Sequence, residues 1–351
     1  MLKRLYDRIP LDIKVKNLAF FLATRLAALG LMFRVFLRLS GESDPVKITG
    51  LFAILLALWR SLLSIYRRCL LPAKELKAYG KWCVVTGCTS GIGKAYADYL
   101  AKEGMDMLLI SRSADKLGEQ QKELRSKHTD IKVDYIAYDF TDVKTDARKP
   151  FYDTFDVKCK SMDADGGIAL LVNNVGIAND IPKTLEEFSD AEIEDLIHCN
   201  IFSTVFMTRS AMKYMKQKKN GAVLSVSSGS GNHVGPYLAI YSATKAFITQ
   251  FSRSLHIECW DSGVDFLVVT PFYVVSNLYK RKSGTLIAPM PEKVVKGSLL
   301  QLGKKYIWQG HGYWFHGIIG NFASFWWGMT ARYRRMMLDN RKRHDERSKK
   351  Q

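Results

Sequence analysis

A tyrosine and a lysine one helical turn apart have the clearest capacity for chemistry in this sequence. Tyr241 and Lys245 bracket the stretch YSATK, whose composition favours a helix, so the two side chains share one helix face. A phenol with an unperturbed pKa of about 10 exchanges a proton slowly unless its surroundings, such as a nearby ammonium, lower that pKa. The pair therefore indicates general acid and base catalysis at a carbonyl or alcohol.

A serine supplies the third catalytic candidate. Ser228 lies thirteen residues before Tyr241 and follows the apolar run 222–226, which predicts a strand. Its hydroxyl can hold a carbonyl oxygen where negative charge develops during reduction. A YxxxK match alone also describes a buried tyrosine beside a surface lysine, so the chemical interpretation depends on motifs elsewhere in the chain.

A glycine-rich loop upstream provides the first of those motifs. Residues 86–93 read TGCTSGIG, directly after a predicted strand at 82–86 and at the start of a predicted helix at about 91–103. Glycines allow a tight turn and a close approach to a pyrophosphate, whose charge then meets free N–H groups at the helix N-terminus. The residues predicted to bind a dinucleotide here are Gly87, Ser90, Gly91, Ile92 and Gly93.

The end of the second predicted strand, 107–111, distinguishes between cofactors. An acidic residue there would accept a hydrogen bond from the ribose 2′-hydroxyl, whereas this strand is followed by Arg112. A guanidinium can bind a 2′-phosphate through two hydrogen bonds, so the sequence predicts NADP(H) rather than NAD(H). The alternative interpretation of Arg112 is a solvated surface charge.

The elements that must hold these residues alternate between apolar strands and helices. Further strand runs occur at 168–172 and 222–226, with helical patterns between them. This alternation predicts an α/β fold with a doubly wound parallel sheet, in which the strand ends converge at one edge. The glycine loop, Arg112, Ser228 and the helix of Tyr241 would then meet at that edge.

Together, these motifs resemble those of the short-chain dehydrogenases/reductases. The shared motifs are TGxxxGIG at 86–93, an NNxG variant at 173–176, Ser228, and YxxxK at 241–245. The resemblance covers residues 80–310 and implies a Rossmann-like catalytic domain that binds NADP(H). The other site residues that it implies are Asn200 in catalysis, and Asp139, Asn173, Gly176, Pro271, Val274 and Ser276, together with Tyr241 and Lys245, in cofactor binding.

Within that family, the sequence is similar to the very-long-chain 3-oxoacyl-CoA reductases and to the 17β-hydroxysteroid dehydrogenases of types 12 and 3. Shared stretches include YGKW at 79–82, ISRS at 110–113 and SSGSG at 227–231. This similarity implies NADPH-dependent reduction of a 3-oxoacyl-CoA to a 3-hydroxyacyl-CoA in very-long-chain fatty-acid elongation. Two alternatives stay open: a 17β-hydroxysteroid or other lipid-ketone reductase, and a non-catalytic membrane partner of the elongation machinery. Phe272 replaces a family glycine, and 278–291 correspond to the family's substrate lid.

The distribution of charge argues against a nucleic-acid enzyme. The net charge is +18, of which residues 1–81 carry +10 and residues 331–351 carry +6, leaving +2 for residues 82–330. A nucleic-acid enzyme places basic residues on its working face, whereas here the central domain is nearly neutral. Basic ends instead favour a membrane surface. The six cysteines and seven histidines show no metal-ligand spacing, so we predict buried, reduced thiols and no metal site.

Two apolar segments near the N-terminus predict a membrane anchor. Segments 18–37 and 48–66 are each about long enough to span a bilayer, which needs roughly 20 apolar residues. Both contain arginine, so the first is either an interfacial helix or half of a hairpin with the second. The predicted organisation is an anchoring region at 1–79, the catalytic domain at 80–310, and a segment at 311–351 that ends in a basic tail. That last segment, rich in aromatic residues, either contacts the membrane or packs on the catalytic core.

Location and partners follow from the same features. The basic residues after segment 48–66, together with the family similarity, predict an endoplasmic-reticulum membrane protein whose catalytic domain faces the cytosol. The predicted partners are a lipid-like ketone or 3-oxoacyl-CoA, the membrane and other elongation enzymes, but not nucleic acid. A homodimer is a further expectation, because members of the family often dimerise through the helices that carry Asn200 and Tyr241.

Overall fold

Four apolar runs in the sequence suit strands that are covered on both faces. A computed structural model describes residues 73–142, 145–179, 181–276, 279, 283–304, 309–323 and 327–348, together with a few positions between 50 and 59. The apolar runs form the centre of a seven-stranded parallel sheet with the order β3-β2-β1-β4-β5-β6-β7, which confirms the predicted doubly wound α/β fold. The strands are Trp82–Thr86 (β1), Asp106–Ser111 (β2), Val133–Ala137 (β3), Ile168–Asn173 (β4), Gly221–Val226 (β5), Val264–Val269 (β6) and Gln309–Gly310 (β7).

Helices cover both faces of this sheet and continue beyond its last strand. Two of the described α-helices begin at a serine that caps free N–H groups: Ser113, and Ser189, which forms a reciprocal capping box with Glu192. A π-helical turn, His198–Phe202, joins two of the helices. The α-helices are Gly91–Lys102 (α1), Ala114–Lys127 (α2), Thr145–Ala164 (α3), Asp190–Ile197 (α4), Ser203–Lys218 (α5), Ala239–Glu258 (α6), Pro291–Leu299 (α7), Trp314–Ala323 (α8) and Trp327–Ser348 (α9).

The core lies on both sides of the sheet. Val85 of β1 packs in one cluster with Tyr96 of α1, whereas its neighbour Val84 packs in the opposite cluster with Phe155 of α3 and Met207 of α5. Adjacent residues of a strand point to opposite faces, so burial on both faces fixes the central strands rigidly. The predicted buried thiols are confirmed for the described cysteines, which are free and buried: Cys83, Cys88, Cys159, Cys199 and Cys259.

The sheet has its switch point at β1, which lies between β2 and β4. The register pairs Thr86 with Ile110, and Val85 with Val172, so the carboxyl ends of these three strands reach the same edge. In open α/β sheets, ligands bind in the crevice outside that edge. The architecture therefore places the site where the sequence motifs predict it.

The chain divides into two compact units, Met1–Leu71 and Pro72–Gln351. The second unit includes the segment 311–351 as well as the catalytic sheet. The predicted membrane helices at 18–37 and 48–66 lie outside the described residues, apart from helical positions between 50 and 59. Within the part of the chain that is described, no helix combines the length and the apolar character needed to cross a bilayer.

Candidate active site

The carboxyl ends of the strands open into a cleft with a volume of about 1630 Å³. A pocket for one small ligand usually measures roughly 300–1,000 Å³, so this cleft has room for a cofactor and a substrate together. The predicted site residues that line it are Gly87, Ser90, Gly91, Ile92, Arg112, Asp139, Gly176, Ser228, Tyr241, Lys245, Pro271, Val274 and Ser276.

The glycine loop has the backbone that its sequence predicts. Gly87 and Gly91 have φ values of +63° and +56°, which residues with a Cβ rarely adopt. A Cβ at Gly93 would lie 2.2 Å from the carbonyl oxygen of Gly87, so only glycine allows the helix to approach the loop this closely. Ser90 precedes α1 without capping it. The first N–H groups of α1 and the Ser90 hydroxyl therefore suit a pyrophosphate.

The asparagine that holds this loop is Asn174, which sequence reasoning missed. Its amide donates to the carbonyl oxygens of Thr86 at 3.0 Å and Gly87 at 3.2 Å, and its backbone N–H donates to the Thr86 hydroxyl at 3.0 Å. Its neighbour Asn173, the predicted cofactor residue, is buried and donates instead to the Thr208 hydroxyl at 2.8 Å. Because successive strand residues alternate between faces, the motif alone does not show which asparagine faces the loop.

The end of the cleft beside β2 presents two exposed cations among the acidic residues of α2. Arg112 is exposed at the rim, and Lys116, from the first turn of α2, lines the same end. Sequence reasoning missed Lys116. It lies in the first turn of α2, three residues after the N-cap Ser113. Asp139 also lines the cleft, where its carboxylate accepts hydrogen bonds from the N–H and hydroxyl of Thr141 at 3.0 and 2.8 Å. Two cations suit a 2′-phosphate.

The three predicted catalytic side chains converge in the cleft. Ser228 forms a hydrogen bond with the Tyr241 hydroxyl, and its Oγ accepts from the Ser230 hydroxyl at 2.9 Å. Lys245 is 4% exposed, and its ammonium donates to the Val226 carbonyl at 3.1 Å. The Lys245 Nζ lies 5.8 Å from the centre of the Tyr241 ring, so the two side chains share one helix face as predicted.

Asn200 lies behind these residues and does not line the cleft. It occupies the π-helical turn between α4 and α5, a rare geometry that often marks functional sites. Its amide accepts from the Ile177 N–H at 2.9 Å and donates to the Ile177 carbonyl at 3.0 Å and to the Thr244 hydroxyl at 2.9 Å. Asn200 thus ties the loop after β4 to the helix of Tyr241, which makes it a positioning residue.

The pKa of Tyr241 differs from what the sequence predicted. Burial raises the pKa of Tyr241, and the opposing contribution comes from the hydrogen bond with Ser228 rather than from Lys245. Burial also lowers the pKa of Lys245 to about 8, because the charged ammonium loses its water shell. The expectation that the ammonium by itself lowers the pKa of the phenol is therefore not met, because the effect of burial is larger. Ser228 is the residue that opposes the effect of burial on the Tyr241 pKa.

Phe272, which replaces the family glycine, has a defined position. Its N–H donates to His316 Nδ1 at 3.2 Å, while His316 Nε2 lies 2.9 Å from the Ile287 carbonyl oxygen. A Cβ at Gly229 would lie 2.7 Å from the Phe272 ring, so the ring occupies space beside the loop that follows Ser228. The backbone of residue 272 thus connects through His316 to α8 and Ile287, while the Phe272 ring packs beside the loop after Ser228 and near the His311 and His316 rings.

The substrate end of the cleft has a wall that the motifs do not predict. Ile319 of α8 and Met336, Met337, Asn340 and Arg343 of α9 all line it. Tyr279 and Ile287, from the predicted lid 278–291, also line the cleft, whereas residues 277, 278 and 280–282 lie outside the described residues. The segment 311–351, predicted as a membrane contact with a basic tail, thus contributes to the site as well.

A parallel Rossmann-like sheet, a glycine loop at a helix N-terminus and a Ser–Tyr–Lys set define a dinucleotide-dependent oxidoreductase. The sequence pattern of the family known as short chain dehydrogenase matches residues 81–285. The chain belongs to that family.

Comparisons with individual proteins agree. The chain is 39% identical over 247 residues to the very-long-chain 3-oxoacyl-CoA reductase of Homo sapiens, covering 70% of this chain and 75% of that protein. It is 35% identical over 229 residues to the 17-beta-hydroxysteroid dehydrogenase type 3 of Rattus norvegicus, covering 65% and 71%. A solved structure of a 7beta-hydroxysteroid dehydrogenase has the same fold, with a TM-score of 0.64, 22% identity, and 75% and 99% of the two chains covered.

Proposed function

We propose that the protein reduces the 3-oxo group of a very-long-chain 3-oxoacyl-CoA with NADPH, giving the 3-hydroxyacyl-CoA. The observation that carries this proposal is the Ser228, Tyr241 and Lys245 set in a cleft that also presents Arg112 and Lys116 for a cofactor phosphate and apolar residues of α8 and α9 for a substrate. The similarity to very-long-chain 3-oxoacyl-CoA reductases supports the choice of substrate.

Each residue of the site has a different role in the proposed reaction. The glycine loop with Arg112 and Lys116 would hold NADPH, which supplies the hydride when bound. Ser228 donates a hydrogen bond to the carbonyl oxygen, where negative charge develops. Tyr241, whose raised pKa keeps the phenol protonated, gives its proton to that oxygen, and the Lys245 ammonium stabilises the resulting phenolate.

The direct test compares two substrates. The full chain, purified in a nonionic detergent, would receive NADPH with either a long-chain 3-oxoacyl-CoA or a 17-keto steroid, and the loss of absorbance of the reduced cofactor would be followed. We expect turnover with the thioester, and none with the Tyr241→Phe variant as the control. Turnover with the steroid alone would reject the proposal. Turnover with neither would favour a non-catalytic partner of the elongation machinery.

Reduction of a 17β-hydroxysteroid or another lipid ketone is the second candidate function. The similarity to 17-beta-hydroxysteroid dehydrogenase type 3 favours it, and the same three catalytic residues would act on a ring ketone. A rigid steroid and a flexible acyl chain differ most at the far end of the cleft, around Ile319 and Met336. The substrate comparison therefore distinguishes the two functions.

We also propose that the protein lies at the endoplasmic-reticulum membrane with its catalytic unit in the cytosol, where it can meet other elongation enzymes. Exposed apolar side chains near the cleft support membrane contact: Trp314 is 61% exposed and Ile318, on the same face of α8, is 44% exposed. Aromatic residues beside arginines suit a membrane interface. In intact microsomes, we expect added protease to cleave the catalytic unit without detergent. Full protection would place that unit in the lumen instead.

A further inference from the structure

Helix α9 presents two different faces. Arg334 and Arg341 lie seven residues, about two turns, apart and share one face, whereas Met336, Asn340 and Arg343 share another. The residues of the second face line the cleft. The helix therefore has one side attached to the protein and one side presented to the substrate.

Two contacts hold the attached side. Arg341 forms a two-pronged pair with Glu187, whose Oε2 accepts from Arg341 Nη1 at 2.8 Å and from the Thr184 N–H at 2.8 Å. The Arg334 guanidinium lies 6.0 Å from the centre of the Tyr237 ring. Because a planar guanidinium that binds a carboxylate through two hydrogen bonds has a defined direction, these contacts fix the rotation of α9 about its axis.

Arg343 differs from Arg341 in its surroundings. It is exposed at the rim of the cleft, and no carboxylate among the described residues forms an ion pair with it, not even Asp339 one turn earlier on the same helix. The acidic residues that line the cleft, Glu119, Glu123 and Asp139, belong to the cofactor end. A cation that no described carboxylate pairs with, on the helix that lines the substrate end of a binding cleft, suits an anion on the substrate.

We propose that Arg343 binds a phosphate of the coenzyme A carrier, with Met336 and Met337 forming the apolar surface along which the neighbouring part of the thioester lies. This inference rests on the proposed reduction of a 3-oxoacyl-CoA. A planar guanidinium matches a phosphate through paired hydrogen bonds, whereas a steroid presents no such anion. The subsite would therefore select a phosphorylated carrier over an uncharged ketone of similar size.

The test distinguishes binding of the phosphate from binding of the reacting thioester. The full chain, in a nonionic detergent without phosphate groups, would reduce either a long-chain 3-oxoacyl-CoA or the matching N-acetylcysteamine thioester, which carries no phosphate. For Arg343→Ala we expect KM for the CoA thioester to rise about tenfold, as for the loss of one charged hydrogen bond, with kcat retained. KM for the phosphate-free thioester and the Kd of NADPH should stay unchanged. Arg343→Lys should restore part of the affinity.

Lys342→Ala provides the matched control, because Lys342 is an exposed cation on the same helix that does not line the cleft. It should change neither KM. An equal rise in both KM values with Arg343→Ala would overturn the proposal, since the effect would then come from the shape of α9. A weaker Kd for NADPH would overturn it too, because Arg343 would belong to the cofactor site.

Binding of coenzyme A alone distinguishes a failure of this inference from a failure of the proposed function. Calorimetric titration of coenzyme A into protein saturated with NADP would show weaker binding to Arg343→Ala than to the native chain if the subsite exists. If the native enzyme reduced neither thioester but still bound coenzyme A through Arg343, the proposed reaction would fail and the subsite would stand. Equal binding to both proteins would overturn the subsite. Because no lipid is present, a headgroup cannot account for the difference.

Discussion

The two ends of the cleft are built in different ways. The cofactor end is formed by residues that directly follow three adjacent central strands: the glycine loop after β1, Arg112 after β2 and Asn174 after β4. The substrate end combines pieces that are far apart in sequence, including the loop after β4, the segment around Phe272 and helices α8 and α9. The residues next to each strand end therefore determine how a dinucleotide is held, whereas packing between distant segments determines which ketone can bind.

Tyr241 lies where the two ends meet, so its loss gives the largest effect. In Tyr241→Phe the phenol that donates the proton is absent, and we expect kcat to fall by roughly 10²–10⁴-fold, as for removal of a general acid. The Kd of NADPH, measured by fluorescence, should remain within about twofold, because Phe keeps the ring and the glycine loop and Arg112 would supply most of the contacts to the cofactor. A variant that kept native turnover would show that another group donates the proton, and Tyr241 would then not be the general acid.

Arg112→Asp tests whether the cofactor end acts independently. The change removes a charged hydrogen bond to the 2′-phosphate and adds repulsion, so the preference for NADPH over NADH should fall about 100-fold. KM for the ketone substrate should not change, since Arg112 lies at the opposite end of the cleft. An unchanged preference for NADPH over NADH would indicate that Arg112 is a solvated surface charge. A change in ketone KM would show that the two ends are coupled.

We expect the Lys245 ammonium to set the upper pH limit of activity. Its ammonium is charged below its pKa of about 8 and neutral above it, so kcat/KM should fall about tenfold per pH unit above that value. The raised pKa of Tyr241 keeps the phenol protonated across this range. Lys245→Arg keeps its charge and should lose this limit, even if its overall rate is lower. A pH profile identical to that of the native protein would assign the limit to another group.

The smallest effect is expected from two neighbouring asparagines that have different hydrogen-bond partners. Asn174→Ala removes two hydrogen bonds to the glycine loop, and at the low end of the usual range, about 0.5 kcal/mol each, the KM for NADPH should rise about fivefold. Asn173→Ala serves as the control: it should lower Tm, because Asn173 is buried against Thr208, and leave the KM for NADPH unchanged. The reverse result would show that the loop is held by Asn173 in solution.

Much of the cofactor end could be predicted from the sequence, because strand, glycine loop and helix are consecutive there. The Tyr241 and Lys245 pair could also be predicted, since four positions of a helix set their relation. The strand motif could not distinguish Asn174 from Asn173, and the sequence could not show that burial outweighs the ammonium in setting the Tyr241 pKa. The wall formed by α9 depends on the Glu187 and Arg341 pair, whose members lie 154 residues apart in the sequence.

The late position of α9 in the chain also has a consequence for synthesis on the ribosome. All seven strands precede α9, so the sheet and the dinucleotide loop leave the exit tunnel before the helix that completes the substrate wall. Chains fold from the N-terminal side as they emerge. A nascent chain would therefore be able to bind nucleotide while its substrate end is still open, and a chaperone or the bilayer would have to shield that apolar opening until α9 has emerged.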